Sequence, residues 1–526
     1  MADLVFVNGN LLTQDPARPR AAALAVDDGG RIAAVGSRVD VEPAVRPGTR
    51  VVDLGGRTLV PGFNDAHAHA WKLGQLLTSV LDLRGTDSLA SLQASLRVFA
   101  RQRREGAWLQ ARGYNEALMT ERRHPTRDDL DAAVPDRPLL LTRVCGHAAV
   151  ANSRALEVAG VGAATAPPAG GRIDRGPDGR PTGVLYETAM GLVSAHVPPP
   201  TPAEYEDMVG AFGRHQLERG ITSSSDCGVR PDLLEAYRAM DARGSLPQRL
   251  NVMPLRRLEG VSGSVPLPER ARSDRLRVDT AKLLADGGLS SATAALRERY
   301  RHADTRGLHR LEEGELREVM RETHAAGWRL AVHAIGDEAI ERVLSAYAAL
   351  GPEAPRRRHR IEHLGLPDPD QLRRAARMRI VAVPQTVFIH SLGRNFREYL
   401  PERLLARAYP VREMMEAGIA VALSSDAPVV EEDGPLLGIQ AAVLRRDAEG
   451  NPIAADQAIT AAQALRAYTM GGAFATGDEA NRGSLSPGKW ADLAVLDEDP
   501  VAAEPEALDA IRVEMTVVGG KVVFER

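Results

Sequence analysis

Thr58-Leu59-Val60-Pro61-Gly62-Phe63-Asn64-Asp65-Ala66-His67-Ala68-His69 decides how this chain folds, because an apolar, strand-like run leads into two histidines spaced i and i+2. On extended backbone those two side chains point the same way, so both imidazoles can reach one metal ion without strain. A His-x-His pair alone also occurs in packed cores and on wet surfaces, so further ligands elsewhere in the chain must decide between these meanings.

Four later segments, 278–282, 329–333, 359–363 and 419–426, each read as a short apolar strand closing on a side chain able to bind metal: Lys282, His333, His363 and Asp426. Turn sequences come after them, namely Asp286-Gly287-Gly288, Ile335-Gly336-Asp337, Leu364-Gly365-Leu366-Pro367 and Ala427-Pro428, and such turns punctuate strand ends. Helix-like stretches at 312–326, 337–350 and 369–378 lie between them. That alternation predicts a parallel sheet.

At 526 residues, 44% hydrophobic and 26% charged, the chain exceeds one ordinary domain and can bury a large core. Its net charge of −4, with Arg, Asp and Glu evenly scattered, gives no basic stripe for nucleic acid and no basic amphipathic helix for a membrane. A small molecule is the expected partner. Met1 to Asn10 lacks the charged start and apolar stretch of a signal peptide, and no window approaches the roughly 18 apolar residues that span a bilayer, which predicts a cytoplasmic protein. Cys145 and Cys227 are far apart, outside any Cys-x-x-Cys pair, and read as reduced thiols.

Residues 3–12, 21–35 and 50–54 look like short strands broken by Asn8-Gly9-Asn10, Asp27-Asp28-Gly29-Gly30 and Gly55-Gly56, and 490–497 and 515–524 share that character. The two ends are expected to form one β-domain from residues 1–56 and 480–526, with a barrel at 57–479 inserted between its halves. Within it, 71–215 exceeds one strand–helix unit and predicts an elaboration over the barrel mouth. Eight barrel strands can be counted, at 58–63, 222–227, 250–255, 278–283, 330–333, 360–363, 380–384 and 419–424. The expected fold is therefore α/β: a (β/α)8 TIM-type barrel with a small β-sandwich domain formed by both chain termini.

Ligand candidates then fall on strands one, four, five, six and eight, and here the chain resembles the metal-dependent amidohydrolase superfamily. The family pattern of His-x-His, Lys, His, His, Asp is matched by His67, His69, Lys282, His333, His363 and Asp426. Other stretches resemble its amidohydrolase-3 branch, which includes N-substituted formamide deformylases: Gly146-His147, Asn152-Ser153-Arg154-Ala155-Leu156, Pro181-Thr182-Gly183-Val184-Leu185-Tyr186-Glu187, and Ser486-Pro487-Gly488-Lys489-Trp490-Ala491-Asp492-Leu493. Cys145 departs from the branch, which often carries Asp there.

Lys282 is one of only four lysines among 66 Lys plus Arg, in a composition where Arg stands almost wherever a cation serves. An ammonium about 4 Å from a divalent ion would be repelled by roughly 8 kcal/mol at an effective dielectric near 20, twice the value for unit charges. An uncharged lysine amine, unlike arginine, can add carbon dioxide and offer two carbamate oxygens to two metals. An ion pair with Asp286 beside a single metal, or an ammonium that binds a substrate carboxylate, are the alternatives.

The resemblance implies hydrolysis of a non-peptide C–N bond, in an amide or an N-formyl or N-acyl compound, by a hydroxide bridging two divalent ions. One ion would be held by His67, His69 and Asp426 and the other by His333 and His363, with Lys282 between them as its carbon dioxide carbamate. Zinc is the first choice, and iron and manganese accept the same ligands. Asp426 is the expected proton carrier and His147 the expected stabiliser of the oxyanion or of substrate orientation. Asn152 reads as a substrate contact or as a helix cap, since Asn-Ser precedes a helix start. Glu187 and Asp286 are expected to orient ligands. The family makes a homodimer a reasonable expectation. The alternative function is a mononuclear deaminase of an aminated heterocycle, against which Lys282 argues. A metal-free relative used for assembly would have no reason to keep six ligands in order.

Overall fold

The computed structural model describes residues 2–104, 106–258 and 263–526. Its centre is built from eight parallel strands: β1 (Phe63–Ala68), β2 (Ile221–Val229), β3 (Arg249–Pro254), β4 (Thr280–Leu284), β5 (Arg329–Ala334), β6 (Arg360–His363), β7 (Val381–Val383) and β8 (Ala420–Val421). β1, β2 and β3 lie in one sheet and β4 to β8, in sequence order, in another. Between the sheets, Leu255 forms a parallel bridge to Lys282, and Arg256 N–H donates to Lys282 O at 3.0 Å. Between the outer strands, Ala66 N–H donates to Leu423 O (3.4 Å) and Asp426 N–H to His67 O (2.8 Å). The result is a TIM-barrel-like α/β fold.

Parallel neighbours require crossovers, and helices supply them. Pro231–Ala242 links β2 to β3, Glu313–Ala325 links β4 to β5, Asp337–Ala348 links β5 to β6, and Pro369–Arg377 links β6 to β7. In Asp337–Ala348 the buried Ala339, Ile340, Val343, Leu344 and Tyr347 recur at helical spacing and form one stripe toward the sheet. Pro369–Arg377 starts on Asp368, whose side chain accepts from Gln371 N–H while Gln371 reaches back, with Pro369 at the first turn. All six residues of β5 are buried, as expected of a strand covered on both faces.

The run 58–63, expected as the first barrel strand, is divided. Thr58–Pro61 pairs antiparallel with Leu493–Leu496 and parallel with Asn10–Leu12, and β1 begins only at Phe63. Gly62 marks the break, since a Cβ there would stand 2.3 Å from the Thr222 side chain. His67 consequently lies inside a strand rather than after one.

The chain ends build two further sheets. A four-stranded one holds Ala2–Val7, Ala23–Asp27, Ile32–Gly36 and Arg50–Asp53. A six-stranded one joins Asn10–Leu12, Arg20–Ala21 and Thr58–Pro61 to Leu493–Leu496, Val513–Val518 and Lys521–Glu525. One apolar cluster contains Phe6, Leu24 and Ile32 from the first together with Leu59, Val495 and Val517 from the second. Between β1 and β2 the chain makes another six-stranded sheet from strands within 81–187, and returns through Pro202–Leu217. No described helix is long and apolar enough to cross a membrane.

Candidate metal centre

The backbone sets the first three ligands against one another. His69 N–H donates to Ala427 O (2.8 Å) beside the Asp426 to His67 bond, so the ends of β1 and β8 are tied at these residues. The result places ligand atoms of His67, His69 and Asp426 within 4.8 Å of one another. His69 Nε2 stands 3.1 Å and His67 Nε2 3.4 Å from Asp426 Oδ1. Asp426 Oδ1 and His69 Nδ1 are buried without a hydrogen-bond partner. Two imidazole nitrogens, His67 Nε2 and His69 Nε2, facing one buried carboxylate oxygen fit a shared cation.

The second group adjoins the first. The His333 and His363 ring centroids are 4.4 Å apart, and those of His67 and His363 5.0 Å. Lys282, 2% exposed, points its Nζ at His67 Nε2 from 3.4 Å. Among the described residues no carboxylate lies within ion-pair distance of it. The ion pair with Asp286 is therefore not formed: Asp286 accepts from the backbone N–H groups of Ala295, Ile335 and Gly336 at 2.8–3.1 Å, and its Oδ1 stands 3.3 Å from His333 Nε2. It clamps the turn after His333.

Each strand histidine commits one ring nitrogen to a partner, and His67 turns its other nitrogen to Lys282 and Asp426. His67 Nδ1 meets Glu362 Oε2 at 2.5 Å, His363 Nδ1 meets Gln385 Oε1 at 2.6 Å, and His333 Nε2 meets Gly287 O at 3.1 Å. Such partners fix the tautomer and aim the other nitrogen. Burial drives the pKa of all three histidines well below the usual value, and burial with the Lys72 charge takes His69 down to about 4. They are neutral at pH 7, the form that binds metal. Burial works to raise Asp426, but His67 and His69 outweigh it and hold the carboxylate well below its usual range. Asp426 (φ 58°) and His363 (φ 72°) both occupy the left-handed region, a conformation kept where surrounding structure over-determines it, often at functional sites.

Above the cluster, Cys145, His147, Phe388, Tyr409 and Val429 line a cavity together with Asp426. His147 Nδ1 is 3.0 Å from Glu187 Oε2, which also accepts from Arg310 Nη1 at 2.6 Å. Burial opposes charge on His147, but Glu187 prevails and raises its pKa above the usual value. Asn152 does not join the site. Fully buried, it caps the helix Ser153–Val158 by accepting from Ala155 N–H, and it spends its remaining capacity on Leu139 N–H, Val134 O and Arg137 O.

Three residues here escaped the sequence reading. Glu362 and Gln385 orient ligands, and Cys227 lies within ligand distance of both His67 and Glu362. Glu362 had a usable signal, because Arg360 two residues earlier on the same strand shares its face and pairs with both of its oxygens at 2.7 and 2.8 Å. Gln385 and Cys227 had none.

Comparison with known proteins gives a consistent picture. Residues 50–524 match the family model described as "Amidohydrolase family". The chain is 32% identical to the N-substituted formamide deformylase of Arthrobacter pascens, with 100% of this chain and 99% of the relative covered. It is 31% identical to the protein LONG AFTER FAR-RED 3 of Arabidopsis thaliana, over 100% of this chain and 92% of that protein. Among solved structures, an uncharacterized metal-dependent hydrolase from Pyrococcus horikoshii superposes with a TM-score of 0.76 at 26% identity, covering 96% and 99% of the two chains.

Proposed function

Since this chain belongs to the amidohydrolase family, in its amidohydrolase-3 branch, and is a metal-dependent hydrolase of C–N bonds other than peptide bonds, we propose that its substrates are N-formyl or N-acyl amines. The relationship to a formamide deformylase over the full length of both chains supports the substrate class. The observation that carries the mechanism is the buried meeting of His67, His69, Asp426 and Lys282, the last without a carboxylate in ion-pair distance among the described residues.

In this reading His67, His69 and Asp426 would hold one divalent ion and His333 and His363 a second, and Lys282, as its carbamate, would add a further ligand. Zinc suits these donors, as do iron and manganese. Bound there, the ions would supply water ionised at neutral pH and polarise the substrate carbonyl. Asp426 takes the proton of the attacking water and delivers it to the leaving nitrogen, which departs only when protonated. His147 steadies the carbonyl oxygen. Because its Nδ1 proton faces Glu187, its Nε2 carries a hydrogen only in the imidazolium form, so the raised pKa is what makes it a donor. Phe388 and Tyr409 offer an apolar wall to the substituent on nitrogen. The deaminase alternative leaves Lys282 without a task.

The same reading treats the eight strands as one closed (β/α)8 barrel, supported by the backbone bonds at both sheet junctions. The two terminal sheets, sharing one apolar cluster, are read as the β-sandwich.

The test is metal content per chain on protein purified without chelator, native mass for the carbamate, and release of formate or carboxylate from N-formyl and N-acyl amines. Two metals with product release support the proposal, and one metal with ammonia released from a heterocycle overturns it. The His147 role predicts an alkaline limb in kcat/KM as that imidazolium loses its proton. Glu187→Gln removes the charge that raises His147 and should move the limb to lower pH; a limb that stays in place assigns it to another group.

A further inference from the structure

Far from the ligand cluster, at the N-terminal ends of the barrel strands, a cavity of about 80 Å³ lies between the barrel and the terminal sheets. Six arginines line it: Arg31 beside the terminal sheets, Arg249 at the start of β3, Arg272, Arg275 and Arg277 before β4, and Arg482. Against them, among the described residues, stand Asp274 and Asp478 in the wall, with Asp492 and Asp279 behind it. Of these ten groups two guanidinium charges are in excess.

The pairing shows which two. Asp492 takes both forks of Arg249 at 2.6 and 3.0 Å, and Asp279 takes Arg277 at 2.6 Å. Asp478 serves both Arg272 (3.3 Å) and Arg482 (2.9 Å). Arg275 donates only to the backbone carbonyls of Leu246 and Pro247, while Arg31 donates to Gly488 O and stacks on Trp490 at 4.0 Å, whose ring also carries Arg249 at 4.3 Å. Among the described residues neither Arg31 nor Arg275 has a carboxylate within ion-pair distance. Burial, and then the Arg249 charge, work against the charge on Arg275, with Asp492 and Asp274 acting the other way from outside ion-pair distance.

We propose that this cavity binds a phosphoryl group, as free phosphate or as the terminal group of a phosphomonoester, through Arg31 and Arg275. Guanidinium forks match tetrahedral oxyanions, and a cavity of about 80 Å³ gives a small oxyanion room between them. Because one wall comes from beside the terminal sheets and the other from the barrel, the anion would hold the two together. This site is separate from the hydrolytic centre and does not depend on the substrate assigned there.

The test is thermal unfolding of the metal-loaded protein with inorganic phosphate or glycerol 2-phosphate, against chloride at equal ionic strength. A Tm rise of about 2.5 °C is expected at a hundredfold excess over Kd. The oxyanion giving the larger rise identifies the source. In the double variant Arg31→Gln, Arg275→Gln the rise should vanish while hydrolytic activity is unchanged. A rise that persists in the variant places the anion elsewhere, at the metals included, and overturns the proposal. If the double variant does not fold, Arg275→Gln alone, with phosphate titrated calorimetrically into it and into the parent, decides: equal affinities, or no binding to the parent, overturn it.

Discussion

Asp426→Asn should lower kcat by about 10³-fold while leaving the chain folded, within the range contributed by a positioned acid–base group. Asparagine is the informative replacement because residue 426 sits at φ 58°, a conformation asparagine tolerates better than alanine. The amide keeps an oxygen toward His69 and His67 but can neither take a proton from the attacking water nor hand one to the leaving nitrogen. kcat measured beside metal stoichiometry separates the two duties of Asp426. A full metal complement with kcat within tenfold of the parent would show that another group carries the proton. Loss of metal would instead make Asp426 chiefly a ligand.

Glu362→Gln should act on metal binding and stability together. Glu362 and Arg360 are both fully buried and joined by two hydrogen bonds, and Arg360 Nη2 also donates to Ala66 O at 2.7 Å, beside His67. Removing the carboxylate charge leaves a buried guanidinium unpaired, at a cost of about 3–5 kcal/mol. It also removes the charged acceptor that holds His67 Nδ1–H, and the loss of such a partner costs about 10–100-fold in metal affinity or activity. Burial alone would raise Glu362, yet Arg360 prevails and its pKa is lowered, so it is the ionised carboxylate that does both jobs. The double variant Arg360→Met, Glu362→Gln distinguishes them in urea unfolding and metal titration: stability should recover and metal affinity should not. If affinity recovers too, the effect on His67 was indirect.

These experiments reach different depths of what the sequence revealed. The ligands were legible because their types are rare and ordered: histidines at strand ends, and a lysine in a chain that otherwise uses arginine. The orienting shell was not, because His67 and Glu362 are 295 positions apart, and only the closure of β1 toward the later strands brings them together. The first strand was misplaced for a related reason. An apolar run such as 58–63 suits either sheet, and Gly62 against Thr222 decides the break through a contact between distant segments. Asn152 carried both of its meanings in local sequence, and the buried carbonyls of Val134 and Arg137 selected the cap.

The strand Thr58–Pro61 also has a consequence for how the protein is made. One of its neighbours, Asn10–Leu12, is synthesised before it, but the other, Leu493–Leu496, leaves the ribosome more than 400 residues later. Through most of translation at about 5–20 residues per second, this apolar edge waits unpaired for tens of seconds. Pairing at such sequence separation is slow, and an open apolar edge invites association with other chains. Ribosome-bound chains halted before residue 493 should therefore be the species that most needs a chaperone.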